Sequence, residues 1–176
     1  MTKTIRFGVA GIALFAAMGM SSVAHADTAT ADARAEVLQA LQLDLVDGSL
    51  DFGAIVLSGN GAETLTLQPN GTMDCANKEV TCSGTTDVPE FQVQGTADKD
   101  VTISFSTTSI DLARNGGTGT GADVMTVDTF TTNATGNEVT LTGGSANFTV
   151  GGTLNIGVTQ NAGVYEGDFT VQVDYS

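Results

Sequence analysis

Alternation of apolar and polar residues along most of the chain constrains its fold more than any other feature of the sequence. From Leu50 onward, residues such as Val, Ile and Phe alternate with polar ones, and clusters of Gly, Asn and Asp interrupt the pattern. A period of two places successive side chains on opposite faces of a β-strand. The clearest runs are residues 50–56, 63–68, 91–94, 101–107, 124–130, 138–142, 153–159 and 168–175. About eight strands without helical patterns between them predict an all-β chain folded as an antiparallel β-sandwich.

Glycine-containing clusters predict the turns between these strands. Gly and Asn tolerate the positive φ angles that tight turns require. The clusters are Gly59-Asn60-Gly61, Asn70-Gly71, Asn115-Gly116-Gly117, Gly143-Gly144 and Gly151-Gly152. The glycine-rich residues 114–123 are predicted to form a loop tip rather than a phosphate cradle, because no Lys and no helix start follow them.

Residues 27–46 fit two conformations. Five apolar residues alternate with polar or charged ones, as in an extended strand with a narrow apolar face: Ala29, Ala31, Ala33, Ala35 and Val37. Three leucines are instead spaced for a helix: Leu38, Leu41 and Leu45. A helix here could end at Asp47-Gly48. The local pattern therefore leaves strand and helix open.

The first 26 residues have the features of a secretory signal peptide. Lys3 and Arg6 precede an apolar stretch over residues 7–20, and Ala24-His25-Ala26 is a small-x-small cleavage site. We therefore expect residues 1–26 to be removed and the rest to be exported as one domain. No later stretch is apolar enough for a membrane-spanning helix, so we expect no direct membrane insertion.

The composition of the remaining chain argues against several functions. It has 20 acidic residues and only four basic ones, so its negative charge would repel nucleic acid. The single histidine, His25, lies in the signal peptide, which removes Ser-His-Asp catalysis and histidine-ligated zinc. Acidic residues such as Asp44, Asp47 and Asp51 are more simply solvated than a glycoside hydrolase pair. We expect no enzyme activity, no cofactor and no metal site.

Cys75 and Cys82 are the only cysteines. Export to an oxidising compartment favours a disulfide between them over two free thiols. Closing so short a loop stabilises the fold by only about 2 to 3 kcal/mol. The bond is therefore expected to fix a local hairpin or bulge.

The end of the chain carries the strongest pattern. Four apolar residues share one face of the predicted final strand: Phe169, Val171, Val173 and Tyr175. Four polar residues share the other face: Asp168, Thr170, Gln172 and Asp174. Such a segment is a half-buried strand.

This segment resembles the last strand of chaperone-usher pilins, especially the archaic, spore-coat-like ones. Those subunits have an alternating last strand, a penultimate tyrosine, here Tyr175, and a glycine fourteen positions from the end, here Gly163. From about Leu43 through Asp51-Phe52-Gly53 to the C-terminus, the chain also resembles a bacterial domain family of unknown function associated with fimbrial gene clusters.

The resemblance implies that the sandwich is of the immunoglobulin-like (Ig-like) type and lacks one strand. The acceptor groove would lie beside Gly163 and the last strand, residues 169–175. A periplasmic chaperone would first fill the groove, and an outer-membrane usher would then exchange it for the N-terminal strand of an identical or related subunit. That donor would be residues 27–40, ahead of a domain over residues 41–176, with five residues entering the groove: Ala29, Ala31, Ala33, Ala35 and Val37.

The expected function is thus a structural subunit of a pilus on the surface of a Gram-negative bacterium, serving adhesion or biofilm formation. The likeness also favours a strand over a helix for residues 27–46. The alternative is a self-contained secreted or cell-surface β-sandwich that binds a ligand or joins a matrix. In that protein the N-terminal segment would fold back onto its own sheet.

Overall fold

A computed structural model describes residues 27–59, 61–76 and 78–176. The predicted signal peptide, residues 1–26, lies outside the described residues. The chain divides into two compact units, Met1–Glu36 and Val37–Ser176. In the first unit, the described residues 27–36 are exposed and form no helix or strand. Every described strand belongs to the second unit.

The second unit is an all-β structure. Its strands are β1 (Gln42–Asp47), β2 (Ala54–Leu57), β3 (Glu63–Leu67), β4 (Val80–Ser83), β5 (Glu90–Gln94), β6 (Asp100–Phe105), β7 (Ser109–Arg114), β8 (Val124–Thr132), β9 (Glu138–Thr140), β10 (Ser145–Ile156), β11 (Tyr165–Glu166) and β12 (Val171–Tyr175). Single 3₁₀ turns occupy Gly121–Asp123, Thr135–Asn137 and Thr142–Gly144. The part of the chain that the structure describes contains no α-helix.

The strands form an antiparallel β-sandwich, as the alternation predicts. The largest sheet has the order β1-β5-β10-β8-β7-β11, and β3 also pairs with β10. A second sheet has the order β12-β6-β9, and β2 and β4 form a two-stranded ribbon. All of these strand pairs are antiparallel.

Strand β10 changes partner half-way along its length. Its first residues pair with β5, and its last five residues pair with β3. Gly151 and Gly152 are buried at the change, and a Cβ atom on Gly151 would overlap the carbonyl oxygen of Leu67. The predicted turn at Gly151-Gly152 is therefore wrong, because these glycines admit a neighbouring backbone inside a strand.

Two clusters of buried side chains form the core. One contains Phe52, Leu65, Leu67, Val80, Val127, Leu154 and Ile156. The other contains Val93, Val101, Ile103, Leu141, Phe148 and Val150. Phe130 packs against both clusters, and β10 contributes residues to each. The clusters thus form a continuous interior.

Five phenylalanines link the strands through a chain of ring contacts. Phe91 stacks on Phe148 at 5.5 Å and meets the edge of Phe169 at 6.5 Å, measured between ring centroids. Phe130 stacks on Phe169 at 5.1 Å and on Phe105 at 5.2 Å. Such pairs add about 0.5–1.5 kcal/mol each beyond the area that they bury.

The structure resolves the ambiguous N-terminal region in part. Residues 42–47 form strand β1, whereas residues 27–41 form neither strand nor helix. Strands β4, β7 and β11 and the first half of β10 lie outside the predicted runs. The expected disulfide between Cys75 and Cys82 is present and joins the loop before β4 to that strand.

Candidate functional site

Strand β12 leaves one backbone edge unpaired. Thr170 accepts a hydrogen bond from Ser106 N, and Ser176 N donates to the Asp100 carbonyl, so the even-numbered backbone groups face β6. Because the direction alternates along an antiparallel strand, the N–H and C=O groups of residues 171, 173 and 175 face away from β6. Among the described residues, no strand pairs with that edge.

The side chains of β12 divide as the sequence predicts. Phe169, Val171, Val173 and Tyr175 are half-buried and pack on the second core cluster. The intervening polar residues, Asp168, Thr170, Gln172 and Asp174, are exposed. The apolar face therefore belongs to the core while the edge beside it stays open.

Strand β1 lies across the interior from β12 at the edge of the other sheet. Among the described strands it pairs with β5 alone, and Leu43 packs on the cluster that β12 covers. At one end the two edges are joined, because the Tyr175 hydroxyl donates to the Gln39 carbonyl at 2.8 Å and accepts from Thr96 N at 2.7 Å. The opening between β1 and β12 is thus closed at the Tyr175 end.

A cleft of about 790 Å³ lies toward the other end of the opening. Its lining includes apolar side chains from several strands: Phe52, Phe91, Ile110, Leu112, Val127 and Phe169. Two exposed apolar residues also line it, Leu45 at 58% and Val164 at 62% exposure. Polar residues, among them Ser49, Asp51 and Asp168, complete the lining. A cleft with apolar side chains near an unpaired strand edge can receive a further β-strand.

Residues 164–169 contribute to this lining and form what we call the cleft wall. Its β11 part pairs with the end of β7, and Asn115 N donates to the Val164 carbonyl at 2.8 Å. The Tyr165 hydroxyl lies 2.6 Å from the Asn161 carbonyl and 2.8 Å from that of Ala122. These contacts fix the wall against the loop after β7.

Asp123 is the buried acid that organises this loop, with only 4% of its surface exposed. Its Oδ1 atom accepts from Arg114 Nε at 2.5 Å and from Asn161 Nδ2 at 2.7 Å. Its Oδ2 atom accepts from the backbone N and the hydroxyl of Thr118. The bond from Arg114, followed by those from Thr118 and Asn161, holds the pKa of Asp123 well below its usual range.

Gly163 packs against the Arg114 side chain, beside the loop. A Cβ atom at this position would lie 2.7 Å from Arg114 Cδ, so a larger residue would push the guanidinium away from Asp123. Glycine is required at this position because of its close contact with the Arg114 side chain.

The proposed donor residues form no strand themselves. Ala29, Ala31, Ala33 and Ala35 are exposed, and Val37 is 93% exposed. Asp44, Asp47 and Asp51 are also exposed, and each accepts a hydrogen bond from within two residues. Within residues 27–59, 61–76 and 78–176, no three metal-ligating side chains converge.

Comparison with known families places this site in context. A family model described as a domain of unknown function, DUF4402, matches residues 43–175. The chain belongs to the DUF4402 family. The match begins inside β1 and ends with β12, so the DUF4402 domain contains both strands beside the opening.

No curated protein and no solved structure matches the DUF4402 chain. In the described part of the chain, no helix has the length and apolar character needed to span a membrane.

Proposed function

We propose that this DUF4402 protein is a structural subunit of a bacterial surface fibre, in which each subunit receives a β-strand from its neighbour. The observation that carries the proposal is the unpaired edge of β12, together with the cleft whose lining reaches Phe169, two residues before that strand. Unpaired strand edges bind other chains readily, and a partner strand would satisfy the outward groups of residues 171, 173 and 175.

The donor is the N-terminal extension, for which the chain itself offers support. Residues 27–38 precede the contacts that hold Gln39, and they alternate small apolar with polar side chains. An alanine-rich donor buries little apolar area, and each Å² buried stabilises binding by only about 25 cal/mol. Backbone hydrogen bonds therefore supply more of its affinity. Val37 and Leu38 are its two larger apolar residues.

Export and assembly complete the proposal. The predicted signal peptide takes the chain to the periplasm, where a chaperone protects the open edge until an usher exchanges it for the next subunit. The resemblance to archaic chaperone-usher pilins supports this route. The assembled homopolymer serves adhesion or biofilm formation on the cell surface.

The test uses the full chain and a synthetic peptide of residues 28–38. Val173→Pro removes an outward N–H and leaves the bonds to β6 intact, because proline is tolerated where an edge N–H faces solvent. Val173→Ala is the matched control, since it trims the side chain and keeps that N–H. We expect peptide binding, measured by fluorescence anisotropy, with Val173→Ala and its loss with Val173→Pro. Equal binding by both variants contradicts the proposal.

Deleting residues 27–38 tests the donor separately. The shortened chain should bind the peptide and form no SDS-resistant multimers, whereas the full chain forms them. Normal multimers after the deletion would rule out this donor.

A second candidate is a self-contained secreted or surface β-sandwich that binds a ligand or joins a matrix. It is favoured by two core clusters that are well buried without an added strand. This candidate predicts a stable monomer with one cooperative unfolding transition and no response to the peptide.

A further inference from the structure

We propose that Asn115 is a self-modification site, at which an asparagine amide becomes a carboxylate beside the cleft wall without an enzyme. Asparagine is among the thermally labile residues, and a following glycine leaves its backbone nitrogen accessible. Two Asn-Gly pairs lie wholly within the described residues, Asn70-Gly71 and Asn115-Gly116. The structure gives them different reactivities.

The reaction needs only water. The Gly116 backbone nitrogen attacks the Asn115 side-chain carbonyl carbon, a C–N bond forms, and the amide nitrogen leaves as ammonia with the proton that the backbone nitrogen gives up. The product is a succinimide ring. Water then opens either C–N bond of the ring and leaves aspartate or isoaspartate.

At Asn70 both reacting groups already form hydrogen bonds. Gly71 N closes its turn by donating to the Gln68 carbonyl at 2.9 Å. Asn70 Oδ1 accepts from Thr72 N at 3.0 Å. The attacking nitrogen and the side-chain carbonyl must both leave a hydrogen bond before they can meet.

At Asn115 the turn places the attacking nitrogen at its corner. Gly117 N closes this turn to the Arg114 carbonyl at 2.9 Å, so Gly116 N is not the closing donor. A Cβ atom on Gly116 would meet nothing within 4 Å, and Asn115 is exposed. Space and solvent are therefore available for the ring and for the water that opens it.

The product changes the cleft wall. Asn115 Nδ2 donates to Glu166 Oε2 at 3.0 Å, and a carboxylate in its place would face the Glu166 carboxylate. Isoaspartate would also lengthen the main chain next to the bond from Asn115 N to the Val164 carbonyl. Both contacts hold residues 164–166, so the conversion loosens the wall beside β12.

Ageing of the purified full chain at mildly alkaline pH tests the site, with peptide mapping by mass spectrometry. We expect Asn115 to convert at least about fivefold faster than Asn70, the factor that one net hydrogen bond represents. Gly116→Ala should slow conversion at Asn115 and leave Asn70 unchanged. A rate at Asn115 no faster than at Asn70 would overturn the proposal.

Hydrogen exchange tests the effect on the wall, independently of any role in fibre assembly. Asn115→Asp reproduces the product, whereas Asn115→Gln keeps an amide and forms the corresponding ring slowly. We expect faster exchange over residues 163–167 in Asn115→Asp than in Asn115→Gln. Equal exchange in the two variants would contradict the loosening.

Discussion

Asp123 carries its charge in a buried site where every contact favours the ionised form. Arg114, Thr118 and Asn161 all donate to it, so its pKa is lower in the folded chain than in the unfolded one. Between those two pKa values the unfolded chain binds more protons, and stability rises with pH. This contribution is complete above the ordinary Asp pKa of about 3.9 and is lost as the pH falls below it.

We therefore predict that Asp123→Asn destabilises the protein at neutral pH and flattens its acid sensitivity. Urea unfolding at a series of pH values below neutrality measures both effects. Asp27→Asn, in the exposed extension, is the control and should follow the wild-type curve. A wild-type slope that persists in Asp123→Asn would contradict the assignment.

Thr129 holds a strained backbone angle in the middle of β8, with φ of 50°. Thr131 pairs with Gly151 and Asp128 pairs with Thr153, so two residues of β8 oppose Gly152 in a β-bulge. A β-branched residue is poorly suited to positive φ, whereas asparagine tolerates it. Thr129→Asn should raise the free energy of unfolding by about 1 kcal/mol.

The matched control is Thr131→Asn, which lies on the same strand without a positive φ. It should leave stability unchanged or lower it slightly, because Asn has low strand propensity. Chemical denaturation of both variants checks the prediction. Equal effects at the two positions would show that the bulge is not strained.

Strand β10 links the two core clusters, and its glycine pair makes the link possible. Gly151→Ala should lower the free energy of unfolding by about 1–3 kcal/mol, because its Cβ atom would overlap the backbone of Leu67. Gly157→Ala is the control, since its nearest neighbour is the end of the Gln160 side chain. Denaturant unfolding compares the two, and a neutral Gly151→Ala would mean that β3 shifts freely.

Strand β10 also shows why the sequence pattern does not predict every strand. Alternation located β3, β5, β6 and β8 because each is flanked by polar turns and buries one face. Gly151-Gly152 has the composition of a turn, and only the approach of β3, distant in sequence, makes it part of a strand. Strands β4 and β11 are too short for a period of two to stand out.

The candidate site, like the fold, could be predicted from the sequence only in part. The period of two assigned the apolar face of β12 correctly, since that is a local property. The unpaired edge depends on which strands lie beside β12, and no local pattern contains this information. The role of Asp123 was not predicted, because two of its donors, Arg114 and Asn161, lie 9 and 38 residues away along the chain.

The charge of the whole molecule opposes its self-association. After the predicted signal peptide, 20 acidic side chains face only four basic ones. Salt reduces the reach of such repulsion, from about 30 Å at 0.01 M to about 8 Å at 0.15 M. We predict that the full chain forms multimers more readily as salt rises over this range, as light scattering would show.

Asp168→Asn combined with Asp174→Asn offers the matching variant, since both acids are exposed beside the open edge. The double variant should associate at lower salt than the wild type. Association that weakens with salt would point to attractive ion pairs between subunits instead.

The hydroxyl of Tyr175 joins the last strand to the start of the domain at Gln39. Tension would pass through both of these segments in the proposed fibre. A pull on the extension enters the domain at Gln39, whose carbonyl accepts from Tyr175 on β12. In the proposed fibre, force would therefore cross from the donor segment to the acceptor strand of one subunit close to this bond. The β2–β4 ribbon and the loop around Asp123 would then carry little strain. In a filament of such subunits, the joints between neighbouring subunits would extend under load before the subunit cores unfold.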